Sequence, residues 1–289
     1  MESIKETLDC LERLSGNARV VAGGTDFVVQ LLEKEPENGL TLLDISSIPN
    51  IRGIEIVEGG KWVQVGAATT MAELAESTTI TDNGRTLASG ASCMGAPQIR
   101  NVATLGGNVV NAQPAADGTI PLLALGAEAR IASIQGERWK SLEELFLDIG
   151  QSSVNPTREM ITQFRFQPTG VRGSSSLQRL AKRNAFTLPT LLVAVRVELD
   201  EEKRRFEQVR IAAGPVARTP WRAKDAEDSL SGTPITRTAI EKGAVLAKLA
   251  AHPRDSLRGG AEYRRDMVEV LVKRALMECL NRLGTLTHE

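Results

Sequence analysis

VVAGGTDFVVQLL, residues 20–32, is an apolar run that is broken in its middle by two glycines, a threonine and an aspartate. The apolar residues before the break predict a strand, and those after it have the spacing of a helix. Glycine allows a positive φ and leaves no Cβ in the path of a bulky neighbour, so Gly23 and Gly24 let the chain turn tightly here. The stretch therefore predicts a strand, a tight turn and a helix whose N-terminus faces the turn.

A second glycine turn lies in NVATLGGNVVNAQPAADG, residues 101–118. Gly106 and Gly107 stand between apolar segments, with Thr104 before them and Asn108 after them. Backbone N–H groups in such turns, at the start of helices, favour phosphate groups. Each turn taken alone is more simply a structural turn, but two matched turns favour a site for a phosphorylated cofactor. Neither is a G-x-G-x-x-G or a G-x-x-x-x-G-K-[ST] motif, so such a site needs another architecture.

The composition excludes several classes of protein. It is 42% hydrophobic and 25% charged with a formal net charge of -1, which gives no indication of a nucleic-acid or membrane partner. A single tyrosine leaves few stacking platforms for single-stranded nucleic acid. No apolar run has the length of a membrane helix, and MESIKETLDC lacks the apolar centre of a signal peptide. We therefore expect a cytoplasmic protein with no nucleic-acid partner and no membrane partner.

Cysteine and histidine are too few and too scattered to predict a metal site. Cys10, Cys93 and Cys279 form no C-x-x-C pair, so neither a zinc site nor an iron–sulfur cluster is expected in this chain. The two histidines, His252 and His288, offer little for a histidine-based metal site or a Ser-His-Asp triad. We predict no metal ligands and no catalytic side chain.

Local signals predict mixed helices and strands. Three pairs have the spacing of a capping box and predict helices: Ser3 with Glu6, Thr70 with Glu73, and Ser141 with Glu144. Glycines at 59–60 and 136 predict hairpins, LTLLDIS (40–46) predicts a buried strand, and a short helix begins near Pro121. The Gly-, Pro- and Ser-rich segment 167–176 predicts a domain boundary.

The segment beyond 176 predicts a second α+β unit. LPTLLVAVRVEL (188–199) and FEQVRIAAGPV (206–216) have the pattern of adjacent strands, and two helical segments follow. The second of these, AEYRRDMVEVLVKRALMECLNRLG (261–284), has helical spacing that places near one stripe Tyr263, Met267, Val270, Leu271, Arg274 and Leu280.

The two glycine turns in their contexts resemble the FAD-binding subunits of molybdenum hydroxylases. AGGTD (22–26) and TLGGN (104–108) carry the likeness, with MGAPQIRNVATLGGN (94–108), ADGTIPLLALGA (116–127) and HPRDSLRGGAEYRRDMVEVLVKRAL (252–276). The last segment is most similar to the xanthine dehydrogenase branch. The resemblance implies an α+β fold: a two-lobed PCMH-type FAD-binding domain at 1–170, with lobes of roughly 1–53 and 54–170, and a smaller C-terminal domain at 171–289 with a three-stranded antiparallel sheet and helices.

The resemblance also implies where FAD is held. The first loop holds the pyrophosphate through backbone amides and comprises Val20, Val21, Ala22, Gly23, Gly24, Thr25, Asp26 and Phe27. The second approaches the phosphates and the ribityl chain from the other side and comprises Thr104, Leu105, Gly106, Gly107 and Asn108. Asp26 and Asn108 hold either the loops or the ligand's hydroxyl groups.

Four further positions match family positions near the cofactor. Asp117 stands where a carboxylate accepts hydrogen bonds from the hydroxylated tail, although the residues alone equally allow an Asx turn. Met94 and Ile161 match apolar positions, and each also reads as a core residue. Arg179 replaces a lysine that reaches the flavin, and its wider, permanently charged fork leaves the contact open.

The implied function is that of an electron-transfer subunit. FAD would collect electrons from a [2Fe–2S] small subunit, beside a molybdopterin-binding large subunit, and pass them to NAD+ or another acceptor. Alternatives are a scaffold subunit that has lost its flavin, or the flavin subunit of a related hydroxylase acting on carbon monoxide, nicotinate or an aromatic substrate. A binder of NAD or a sugar phosphate outside this family lacks its fingerprint here.

Overall fold

The N-terminal segment forms a small unit around the first glycine turn. The computed structural model describes residues 1–33, 39–183 and 186–285. Helix α1 (Ile4–Arg13) begins after Ser3, whose hydroxyl accepts a hydrogen bond from the Glu6 amide. Strand β1 (Ala18–Val21) pairs in parallel with β2 (Thr41–Asp44), and α2 (Phe27–Glu33) follows the glycines. The predicted strand, turn and helix are thus present. The strand predicted within 40–46 is also present as β2, but only Leu43 of β2 is buried, so the predicted burial was wrong.

A five-stranded antiparallel sheet is the centre of the next segment. Its order is β3-β4-β9-β5-β6, and helices connect β4 to β5. The elements in chain order are β3 (Ile54–Val57), β4 (Trp62–Gly66), α3 (Met71–Glu76), α4 (Thr78–Cys93), α5 (Pro97–Arg100), α6 (Leu105–Val110), α7 (Thr119–Leu125), β5 (Glu128–Ser133), β6 (Gly136–Ser141), β7 (Phe146–Asp148), β8 (Gln151–Ser152) and β9 (Met160–Phe166).

Two of the predicted helix starts in this segment differ in outcome. Thr70 and Glu73 form the full reciprocal capping box at the start of α3. After Ser141 the chain makes only a 3-10 turn, Leu142–Leu145, and the Ser141 side chain forms no capping bond. The predicted helix at Ser141 was therefore wrong, because a short connection between β6 and β7 leaves no room for one.

The C-terminal segment is a second antiparallel sheet covered by helices. The sheet comprises β10 (Gly173–Leu180), β11 (Leu191–Leu199) and β12 (Phe206–Gly214), and β13 (Trp221–Arg222) extends it by two residues. Three helices follow: α8 (Lys224–Leu230), α9 (Arg237–Ala250) and α10 (Ala261–Arg282). The predicted pairing of the two long strands is confirmed, since β11 and β12 are antiparallel neighbours.

This second sheet has buried apolar residues on both faces. Val193, Val195 and their neighbours on one face pack against α8, α9 and α10. Leu192 and Ala194 on the other face join the core that α7 and the five-stranded sheet share. Because both faces are buried, the sheet forms a common wall between the two halves of the protein.

The buried side of α10 is not the stripe that the sequence predicts. Tyr263 is 50% exposed and Val270 is 36% exposed, whereas Leu271 and Leu280 are buried as expected. The helix buries instead the set Arg264, Val268, Leu271, Val272, Ala275, Leu276, Cys279 and Leu280. The predicted stripe was wrong because α10 contacts two strands and α9 at once. These contacts bury a wider side of the helix than a single stripe.

None of the helices within the described residues has the length and apolar character that a membrane crossing requires.

Candidate functional site

The first glycine turn presents backbone amides that lack a protein acceptor. Within the described residues, no hydrogen bond is donated by the amides of residues 23–26. Gly24 adopts φ +66°, and a Cβ on Gly23 would overlap the Val102 carbonyl. The turn is therefore closed on one side by the segment before α6 and leaves consecutive N–H groups available on the other, which is an arrangement that favours an anion.

The second turn is built differently, because its amides are already engaged. The Gly106 amide donates to the Ala67 carbonyl at 2.8 Å, and the Gly107 amide donates to Thr104 Oγ1 at 3.2 Å. A Cβ on Gly106 would lie 2.8 Å from the Ala67 oxygen, whereas one on exposed Gly107 would meet only Thr104 Oγ1. Gly106 is thus needed for packing, and Gly107 leaves an open surface that a ligand can approach.

Polar side chains tie the two turns to the start of α7. Asp26 Oδ2 accepts a hydrogen bond of 2.9 Å from Asn111 Nδ2, which links the first turn to the end of α6. Asn108 Oδ1 accepts hydrogen bonds from the amides of Gly118 (3.0 Å) and Thr119 (3.2 Å). The sequence allowed Asp26 and Asn108 either to hold the loops or to bind hydroxyl groups of the ligand. In the structure both side chains hold the loops.

Asp117 and Arg179 meet beside this assembly from opposite halves of the protein. Asp117 precedes α7, Arg179 lies on β10, and their Oδ1 and Nε atoms are 3.8 Å apart with side chains 8% and 11% exposed. Neither atom has a hydrogen-bond partner within the described residues. All other buried side-chain nitrogen and oxygen atoms in those residues do have one. Arg179 is oriented by its Nη2, which donates to the Thr187 carbonyl at 2.5 Å.

The environment of Asp117 leaves its carboxylate costly to ionise. Burial raises its pKa to about 6 from an ordinary value of 3.8, and the charge of Arg179 offsets only part of this. A carboxyl group that is buried, close to a guanidinium and without hydrogen bonds lacks the donors that normally accompany it. The pair therefore fits a ligand that supplies hydroxyl groups.

The remaining predicted residues divide between the turns and the core. Val20 and Val21 lie on β1, half-buried Ala22 and Thr25 lie in the turn, and Phe27 is the first residue of α2. Thr104 caps α6, and Leu105 is fully buried. Met94 Sδ lies 3.8 Å from Asn108 Nδ2, which brings it to the assembly. Ile161 lies on β9 in the main core, which also includes Leu105 of the second turn.

Three positions that support the assembly carry no recognisable signal in the sequence. Asn111 and the Thr187 carbonyl fix Asp26 and Arg179, as described above. Gly90 on α4 is the third, since a Cβ there would overlap the Asp117 carbonyl. Asn111 and Gly90 depend on partners far away in the chain, and Thr187 contributes only its backbone carbonyl, so residue type and spacing could not identify them.

The match to known families follows the two halves of the fold. Residues 1–169 match the family described as FAD binding domain in molybdopterin dehydrogenase, and residues 177–279 match the CO dehydrogenase flavoprotein C-terminal domain. The chain belongs to the family of FAD-binding subunits of molybdenum hydroxylases. Its relatives are subunits of oxidoreductases, and FAD is the cofactor of its N-terminal domain.

Similar proteins match this flavin subunit over nearly its whole length. The xanthine dehydrogenase FAD-binding subunit of Escherichia coli O157:H7 is 31% identical over 96% of this chain and 94% of its own length. The carbon monoxide dehydrogenase medium chain of Hydrogenophaga pseudoflava is 28% identical over 95% and 93%. A solved structure of carbon monoxide dehydrogenase from Hydrogenophaga pseudoflava, which lacks the Mo-pyranopterin moiety of its molybdenum cofactor, has a TM-score of 0.89 at 27% identity, with 98% and 96% of the chains covered.

The residues of the flavin subunit fit FAD on chemical grounds. FAD carries a pyrophosphate, a chain of hydroxyl groups and a planar ring, and the free amides at 23–26 suit the first of these. The unpartnered Asp117 carboxylate can accept from hydroxyl groups, and the unpartnered Arg179 Nε can donate. Within the described residues, no group of three or more His, Cys, Asp or Glu side chains is arranged to hold a metal ion.

Proposed function

We propose that this subunit holds FAD between its glycine turns and the Asp117–Arg179 pair and transfers electrons within a molybdenum hydroxylase complex. The observation that carries the proposal is a pair of buried atoms, Asp117 Oδ1 and Arg179 Nε, that have no hydrogen-bond partner in the part of the chain that the structure describes. A buried acceptor and a buried donor that lie 3.8 Å apart without hydrogen bonds destabilise the fold. A ligand that forms hydrogen bonds with both atoms removes this destabilisation.

Each part of the site has a separate task in this proposal. The amides of residues 23–26 bind the pyrophosphate, and the open face of Gly107 lets it approach α6. Asp117 accepts hydrogen bonds from the hydroxylated chain, Arg179 donates to the same region, and Met94 packs beside it. Ile161 supports the site from the core, and Thr25 and Thr104 add hydroxyl groups at the turns.

The electron path extends beyond this chain. Bound FAD supplies a group that can take up electrons singly and release them in pairs. We propose a [2Fe–2S] small subunit as the donor, a molybdopterin-binding large subunit as the site of substrate oxidation, and NAD+ as the acceptor. The 31% identity to a xanthine dehydrogenase subunit favours a xanthine-dehydrogenase-like complex over the carbon monoxide branch only narrowly. The cytoplasmic location stays a prediction.

We also propose two domains, at 1–170 and 171–289, with lobes of roughly 1–53 and 54–170 in the first. The proposed boundary falls in the connection between β9, which ends at Phe166, and β10, which begins at Gly173. A small separate core lies mostly in the first lobe, where it includes Leu8, Leu11 and Ala18. The second lobe contributes Ala68, Ala132 and Met160 to it.

The test is the chromophore of the complex. The subunit is purified with the proteins that associate with it, its visible spectrum is recorded, and the released chromophore is identified. We expect FAD at about one per chain, as a single built site requires. Anaerobic addition of NADH is expected to bleach the flavin absorbance, and bleaching by substrate but not by NADH would indicate another acceptor. An intact complex without flavin would overturn the proposal and favour the scaffold alternative.

A further inference from the structure

A polar cavity lies at the opposite end of α7 from Asp117. It has a volume of about 210 Å³ and is lined by the end of α7, the start of β5, the end of β6 and the strands β12 and β13. Because α7 has seven residues, the cavity is roughly 10 Å from the Asp117 end of that helix. It is therefore separate from the proposed flavin site.

The carboxylates of this cavity are already neutralised. Glu128 pairs with Arg165 at 2.6 Å, and Glu143 pairs with Lys224 at 2.8 Å and also with Arg222. Burial opposes ionisation of Glu143, but the bonds from Lys224 and Arg222 outweigh it and lower its pKa. Neither carboxylate is thus left to balance another cation in the wall.

Arg210 is a cation in the same wall that has no such partner. Its side chain forms no hydrogen bond and no ion pair with the described residues. Burial lowers its pKa, and so do the positive charges of Arg222 and Arg196, and these effects outweigh the opposing charges of Glu227 and Glu198. Those two carboxylates are already paired with Arg222 and Arg196. The guanidinium nevertheless stays charged at every physiological pH, so one positive charge in the cavity is unbalanced.

The position of Arg210 is built into the fold. Its guanidinium occupies the space over Gly126, where a Cβ would overlap it, and Gly126 ends α7 with φ +68°. The Ser141 hydroxyl, a second polar group without a hydrogen-bond partner among the described residues, lines the same cavity. The wall therefore offers a fixed fork of N–H donors and a hydroxyl donor, with space before them.

We propose that this cavity binds a phosphate-sized oxyanion, with Arg210 as its main ligand and Ser141 as a second donor. A guanidinium fork matches an oxyanion through two parallel hydrogen bonds, and partial burial strengthens them. The anion would balance the charge of Arg210 and would bridge β12 and the end of β6, which belong to different halves of the protein.

The test uses inorganic phosphate and the full chain saturated with FAD, so that the flavin site is not available to phosphate. Thermal unfolding is followed as phosphate is added while sodium chloride holds the ionic strength constant. At tenfold excess over its dissociation constant, phosphate is expected to raise Tm by about 2–5 °C, and at higher concentrations Tm should keep rising with the logarithm of the phosphate concentration. The R210M variant is expected to lose this shift, and S141A to weaken phosphate binding several-fold.

The control is R204M, since Arg204 lies in the neighbouring turn and is highly exposed. It is expected to keep the whole phosphate response. R210K, which keeps the charge and loses the fork, serves if R210M does not fold, and is expected to bind phosphate at least tenfold more weakly. A wild-type Tm that phosphate does not raise at constant ionic strength, or equal responses in the Arg210 variants and the wild type, would refute the site.

Discussion

Asp117 is the residue at which stability and ligand binding oppose each other. Its pKa in the fold is about 6 because burial disfavours the ionised form. An unfolded chain ionises this group near its ordinary value, so the fold loses stability from it as the pH rises from about 4 to about 6. Above about pH 6 the loss is constant and reaches about 3 kcal/mol at most.

We therefore predict that D117N makes the FAD-free chain more stable at neutral pH. The amide has no charge to bury, so the free energy of unfolding should rise by about 1–3 kcal/mol near pH 7 and by little near pH 4. Denaturant unfolding of the FAD-free protein at the two pH values measures this difference. A destabilised D117N at pH 7 would show that the carboxylate has a structural partner.

The same variant is predicted to bind FAD less tightly. An amide accepts fewer hydrogen bonds than a carboxylate, so the dissociation constant should rise by about 10- to 100-fold. Quenching of flavin fluorescence on titration gives the constant. D148N is a matched control, since Asp148 is paired with Arg218 on the surface, and FAD affinity should not change there.

Gly106 and Gly107 are adjacent but are predicted to respond oppositely to a Cβ. G106A should lower the free energy of unfolding by about 1–3 kcal/mol, because the methyl group meets the Ala67 carbonyl at 2.8 Å. G107V should leave the FAD-free fold intact and prevent FAD binding, since its side chain fills the open face. Thermal unfolding and flavin content measure the two effects, and a fully yellow G107V would contradict the proposed approach of the pyrophosphate.

At the scale of elements, Asn108 joins two short helices that neither length nor propensity would stabilise alone. It lies on α6 and accepts from two amides at the start of α7, which has no other side-chain cap. We predict that N108A lowers the free energy of unfolding by about 1–3 kcal/mol, as two buried amides lose their acceptor. N111A, which breaks one exposed bond to Asp26, should cost less than N108A in the same denaturant measurement.

Elements with local causes were predictable from the sequence, and those with distant causes were not. The turn at Gly24, the box at Thr70 and the pairing of β11 with β12 each depend on signals within a few residues. The buried side of α10 depends on which strands it meets, so an intact pattern of apolar residues gave the wrong phase at Tyr263. Asp117 was predicted from the family resemblance. Only the structure shows that its Oδ1 atom is buried without a hydrogen-bond partner among the described residues.

The charged face of the second sheet is a feature of the whole molecule. Arg179, Arg196, Arg210 and Arg222 lie on β10 to β13 and reach the first half of the protein or the cavity beside it. Arg196 is buried and donates to the carbonyls of Leu125 and Gln167. Arg196 thus joins the halves, because it satisfies carbonyls at the end of α7 and beyond β9.

We predict that R196M weakens the whole protein and not its C-terminal half alone. Removal of the guanidinium leaves buried carbonyls without donors, which should cost about 2–4 kcal/mol and lower Tm by about 4–12 °C.

Because Asp117 and Arg179 come from opposite halves, flavin release and loss of secondary structure should occur in one transition in both the wild type and R196M. Circular dichroism and flavin fluorescence, recorded on one heated sample, test this. The exposed control R204M should leave Tm unchanged, and a separate early transition that retains the flavin would mean that the second sheet does not complete the site.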